Sequence, residues 1–110
     1  MCGISGVFIK NNNINIELYA ETLIKYLINR GPDSNNYYIN HFSNNSIAIC
    51  HNRLSIIDLD TRSNQPFIFK NFVMVFNGEI YNYLELRQFL IENYNSIFIT
   101  NSDTEVLIQL

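Results

Sequence analysis

Apolar positions along this 110-residue chain fall into short runs of four to seven, and between them lie polar stretches rich in asparagine and glycine. Ile4 to Ile9 reads as a short buried strand, closed by the turn-forming run Asn11-Asn12-Asn13. From Glu17 to Asn29 the spacing changes to a helical one. Leu18, Leu23 and Leu27, with Ala20, Ile24 and Ile28, form an apolar stripe that predicts an amphipathic helix stopped by Gly31-Pro32. Tyr37–Asn40 and Ser46–Cys50 predict two strands joined by an asparagine-rich turn. Residues 53–59 are mainly apolar and predict a buried strand that runs into a loop through Ser63 and Pro66. Phe67–Phe69 and Phe72–Phe76 predict a hairpin about Lys70-Asn71, broken afterwards by Asn77-Gly78. A helix is expected over Asn82–Glu92 with Leu86, Phe89 and Leu90 on one face, then a strand over Ile97–Thr100. A last helix begins at Asp103, with Ser102 or Asp103 as its cap and Glu105 in its first turn. That helix reaches Leu110 in mid-period with no closing glycine, so the expectation is one domain over 1–110, cut on its C-terminal side, with no second domain.

Composition narrows the class. At 47% hydrophobic and 14% aromatic residues the chain is globular, and its size suits one small domain. A net charge of −3 without a basic run argues against nucleic acid or an anionic membrane as partner. Two cysteines are too few for a disulfide framework, and two histidines with two cysteines lack metal-ligand spacing. The N-terminus has neither the basic stretch nor the apolar core of a signal peptide, which makes the cytoplasm the expected location. The asparagine clusters, including Asn35-Asn36 and Asn44-Asn45, read as loop filler.

Chemistry concentrates at the start. Cys2 stands directly after Met1, and Gly3-Ile4-Ser5-Gly6 follows. Removal of Met1 leaves a thiol and a free α-amine on one residue, two group types whose reference values in model peptides lie at about 8.5 and about 7.7–8. Those values are matched for proton transfer at neutral pH, so such a residue carries its own base. Four further polar clusters interrupt the apolar framework: Arg30-Gly31-Pro32-Asp33, the run from His51 through Asp58, Asn77-Gly78-Glu79-Ile80-Tyr81-Asn82, and Asn101-Ser102-Asp103-Thr104-Glu105. With Gln65-Pro66 and the run Tyr83-Leu84-Glu85-Leu86-Arg87, these clusters in this order resemble the class II glutamine amidotransferase domain. The nearest resemblance is to glutamine-hydrolysing asparagine synthetases, over almost the whole chain.

The resemblance implies an α+β fold, the N-terminal-nucleophile hydrolase sandwich of two antiparallel sheets between helical layers, incomplete in this chain. It implies an enzyme that hydrolyses the side-chain amide of L-glutamine to glutamate and ammonia through a cysteinyl thioester. Cys2 would be the nucleophile, and Asn77 with Gly78 the oxyanion hole. Arg53 would grip the substrate carboxylate and Asp103 its ammonium. Leu54, Ser55, Ile56, Ile57 and Glu79 would complete the pocket. Ordinary roles stand beside these: a hairpin turn for Asn77-Gly78, a helix cap for Asp103, a surface ion pair for Arg53. Arg30 and Asp33 suit a structural place beside the nucleophile as well as they suit substrate contact. His51 reads as a packed strand residue, His41 as a loop residue and Cys50 as an inert buried thiol. No cofactor is expected in this region. Ammonia would pass to a synthetase domain or subunit, absent here, where ATP and magnesium activate aspartate. Two rivals remain: a non-catalytic remnant of such a domain, and an amidotransferase serving another acceptor.

Overall fold

A computed structural model describes residues 1–11 and 13–110. Among the described residues, three helices, one short 3₁₀ turn and two small antiparallel sheets make an α+β chain. Strands β1 (Gly3–Ile9), β2 (Ser34–Phe42) and β3 (Asn45–Arg53) form the larger sheet in the order β1-β3-β2. Gly3 pairs with Asn52 at one end of the β1–β3 ladder and Ile9 with Ser46 at the other. Strands β4 (Phe67–Phe69) and β5 (Phe72–Met74) form the expected hairpin, with Lys70 turning at positive φ.

Helix α1 (Ile16–Leu27) lies on one face of the larger sheet. Asn15 caps it, its side-chain oxygen accepting from Leu18 N–H at 3.2 Å, a device worth about 1 kcal/mol. The core is Ile16, Ala20 and Ile24 from the helix against Ile9, Ala48 and Cys50 from the strands. The stripe is thus narrower than the sequence suggests. Leu18 and Ile28 point to solvent, while the 16–20–24 row is buried against the sheet and Leu23 packs at its margin. Gly31 does not act as a left-handed helix cap either. No glycine among the described residues has positive φ, and a Cβ on Gly31 would stand 2.1 Å from the Asn52 carbonyl oxygen. Glycine is there because the chain crosses β3 at backbone contact.

Both strands of the β2–β3 pair run longer than expected. Asn35 and Asn36 sit inside β2, and Ser43 takes the positive φ of the turn. Of the first asparagine run, Asn12 lies outside the described residues. The strand expected to begin at Arg53 instead ends there, and 54–60 is irregular. Helix α2 (Tyr83–Tyr94) packs on α3 (Asp103–Gln109), and Leu90 is its buried residue while Phe89 is half exposed. The strand expected at Ile97–Thr100 does not form. The N–H groups of Ile99 and Thr100 donate to the buried Glu105 carboxylate, at 2.9 and 2.7 Å, instead of to a neighbouring strand. A buried carboxylate has to find donors, and these are the ones within reach.

Candidate active site

The β1–β3 register sets the site. Because Gly3 lies opposite Asn52, Cys2 arrives beside the point where β3 runs out into Arg53 and Leu54. Leu54 N–H donates to Cys2 Sγ at 3.3 Å, and the thiol faces the Leu54 carbonyl at 3.6 Å. Arg30 Nε donates to the Cys2 carbonyl at 3.2 Å, holding the backbone on the opposite side. Asp33 accepts from Ser55 N–H at 2.7 Å, while its own N–H donates to the Arg53 carbonyl at 3.0 Å. The Arg-Gly-Pro-Asp cluster therefore acts here as a brace for the segments carrying Cys2 and Arg53.

A cavity of about 310 Å³ opens in front of Cys2, large enough for an amino acid. Of the residues expected from sequence, Cys2, Arg53, Leu54, Ile56, Ile57, Asn77, Gly78, Glu79 and Asp103 border it. Ser55 does not, since its backbone is turned to Asp33. Sequence reasoning gave no pocket role to Ser63, Gln65, Phe76, Tyr81, Ser102 and Thr104, which also line it, nor to Met1. The Gln65-Pro66 pair was a visible signal for one of these; the rest become neighbours only through the fold.

Asn77-Gly78 is not a hairpin turn. It follows β5 in irregular backbone, and the β4–β5 turn lies earlier, at Lys70-Asn71. A Cβ on Gly78 would come within 2.7 Å of the Phe76 ring, so glycine lets the segment fold onto its own aromatic neighbour. Asp103 opens α3. Ser102 is the cap, its Oγ accepting from Glu105 N–H at 3.2 Å, and one Asp103 carboxylate oxygen accepts from Ile80 N–H at 3.0 Å. The start of α3 is also tied to the Arg53 loop. Asp58 accepts from Asn101 N–H and from Ser63 Oγ, both at 2.7 Å, and these bonds hold its carboxyl below the usual range, Asn101 contributing most.

Arg53 is buried and not part of a surface ion pair. Its Nη1 donates to the Asp60 carbonyl at 3.1 Å and to Asn64 Oδ1 at 2.7 Å; its Nη2 donates to the Ile57 carbonyl at 3.1 Å and to that of Asp58. The guanidinium thus curls residues 57–64 around itself, which is why no strand continues past it. His51, two residues earlier, is fully buried, and neither ring nitrogen makes a full hydrogen bond. Burial disfavours its charged form and pulls its pKa down to about 4; the Phe76 backbone opposes the shift and the Arg53 charge adds to it. The ring is neutral and walled off from the cavity. Burial pushes the Cys50 thiol up, while Cys2 is the cysteine that borders the cavity. Among the described residues no cluster could hold a metal ion, and no helix is long and apolar enough to cross a membrane.

This α+β chain matches the family model of the glutamine amidotransferase domain over residues 1–110, and it belongs to that family. It is similar to glutamine-hydrolysing asparagine synthetases. Asparagine synthetase 1 of Bacillus subtilis is 39% identical over 98% of this chain and 17% of its own length. Asparagine synthetase B of Escherichia coli is 39% identical over 100% of this chain and 19% of its own length. Asparagine synthetase 2 of Bacillus subtilis is 41% identical over 74% of this chain. The chain spans less than a quarter of the length of the curated relatives it matches.

Proposed function

We propose that the chain hydrolyses L-glutamine with Cys2 as an N-terminal nucleophile, inside a partial N-terminal-nucleophile hydrolase fold. The observation that carries this reading is one cavity bordered by Cys2, Arg53, Asn77, Gly78 and Asp103, residues drawn from four separate segments. After Met1 is removed, the freed α-amine takes the thiol proton and the thiolate attacks the substrate's side-chain carbonyl carbon. The oxygen of the tetrahedral intermediate receives hydrogen bonds from the Asn77 side-chain amide and the Gly78 N–H. The C–N bond then breaks, the α-ammonium protonates the departing nitrogen, and ammonia leaves a thioester on Cys2. Water, deprotonated by the same amine, cleaves the thioester to glutamate and restores the thiol.

At the amino-acid end, Asp103 has one oxygen committed to Ile80 N–H and offers the other to the ammonium. Arg53 reaches the substrate carboxylate by exchanging loop carbonyls for it. A carboxylate is the stronger acceptor, since it adds its own negative charge and can take two parallel bonds from the guanidinium fork. Backbone groups from Leu54 to Ile57 and the Glu79 segment close the rim. Ammonia then passes to a synthetase domain or subunit, as the relatives' names support, and ATP with magnesium serves there.

Two measurements test the reading. Intact-mass spectrometry of the purified chain is expected to show loss of the methionine mass. A glutamine-derived chloromethyl ketone is expected to label Cys2 and spare Cys50. Retained Met1 with no labelling, or equal labelling of both thiols in folded protein, overturns it.

A further inference from the structure

We propose that Gln65 is a positioning residue that sets the distance between the two ends of the substrate cavity; the inference rests on the glutamine reading above. Gln65 is 7% exposed and its carboxamide is occupied at both ends. Its Oε1 accepts from Phe76 N–H at 2.6 Å, and its Nε2 donates to Thr104 Oγ1 at 3.2 Å. Phe76 directly precedes Asn77, and Thr104 directly follows Asp103. One rigid planar amide therefore spans the segment carrying the oxyanion donors and the helix carrying the ammonium-binding carboxylate.

The Phe76 side of this link governs more than one residue. Gly78 is folded against the Phe76 ring so closely that a Cβ would stand 2.7 Å from it. Moving the Phe76 backbone therefore carries both Asn77 and Gly78 with it. A second tie between the same segments, Ile80 N–H to Asp103 Oδ2 at 3.0 Å, uses the very carboxylate that substrate must engage. Gln65 joins the same two segments without using that carboxylate. Its carboxamide is held by Phe76 and Thr104 at opposite ends, which fits a role in positioning these segments.

The test uses the full chain, with steady-state glutamine hydrolysis and alkylation of Cys2 by iodoacetamide. Iodoacetamide needs neither end of the cavity, so it reports the thiol alone. Gln65→Met fills a similar space and breaks both bonds; kcat/KM is expected to fall on the order of 100-fold, the effect of roughly 1 Å of misplacement, while iodoacetamide labelling stays within about twofold. Thr104→Val breaks only the helix side and is expected to raise KM roughly tenfold with kcat within about threefold, a loss at the amino-acid end alone. Gln65→Glu keeps an acceptor for Phe76 N–H and one for the Thr104 hydroxyl, and is expected to recover most of kcat.

Gln65→Met with parental constants overturns the proposal. So does a loss in which iodoacetamide labelling falls in step, because that is general collapse. Should Gln65→Met not fold, an unchanged KM in Thr104→Val overturns it by itself. Failure of the glutamine reading is visible earlier and separately, as a parent chain whose Cys2 takes no glutamine-derived electrophile.

Discussion

His51 should make the stability of this protein fall as the pH drops through the mild acid range, and removing it should abolish that fall. The ring lies on β3 opposite Ile4 and Asn36, with no exposed surface. Its pKa is lowered from 6.5 to about 4 by burial, so the unfolded chain binds a proton more readily than the native one. The native state is therefore fully favoured above the unfolded value and loses stability as the pH falls from 6.5 towards 4. With about 1.4 kcal/mol per pKa unit, the loss between pH 7 and pH 5 comes to about 2 kcal/mol from this residue alone. The comparison variant is His51→Leu, which keeps the site filled and cannot titrate. Urea unfolding of both proteins at intervals across that range gives the two pH slopes. Carboxylates contribute equally to each and cancel in the difference. Parallel curves for parent and variant would show that the imidazole is protonated in the folded state, and the account of its burial would be wrong.

Gly31→Ala should destabilise the chain by at least about 1–3 kcal/mol, the usual cost of overpacking, because its Cβ has no room beside the Asn52 carbonyl; unchanged urea unfolding refutes the backbone crossing. Asn77→Ala should lower kcat for glutamine hydrolysis on the order of 100- to 1000-fold, about 3–4 kcal/mol of transition-state stabilisation, with little change in KM; a rise in KM alone would mark a binding role instead.

The regular elements were legible wherever the apolar pattern matched a local partner. Helix α1, the β2–β3 pair and the β4–β5 hairpin all form where expected, although β2 and β3 run longer and β5 shorter than periodicity suggests. The sequence misled at places decided by a single buried polar group. Ile97–Thr100 has strand composition, yet Glu105 takes the N–H donors of Ile99 and Thr100 that a ladder would need. Residues 53–59 are apolar enough for a strand, yet the Arg53 guanidinium collects the carbonyls of Ile57, Asp58 and Asp60 and forces a curl. Periodicity has no means of registering either event. At the site, motif order was informative about which residues meet at the cavity. It was silent on how Arg53 spends its donors and on the two-ended bond of Gln65, because both depend on distances between remote segments.

Met1 borders the cavity next to Cys2. On the proposed mechanism Met1 is a stopper, because its peptide bond ties up the Cys2 nitrogen that would carry the proton. A single aminopeptidase cut would then unmask the proton carrier and take away one wall of the cavity at once, so on that reading the cut would set when glutamine hydrolysis starts.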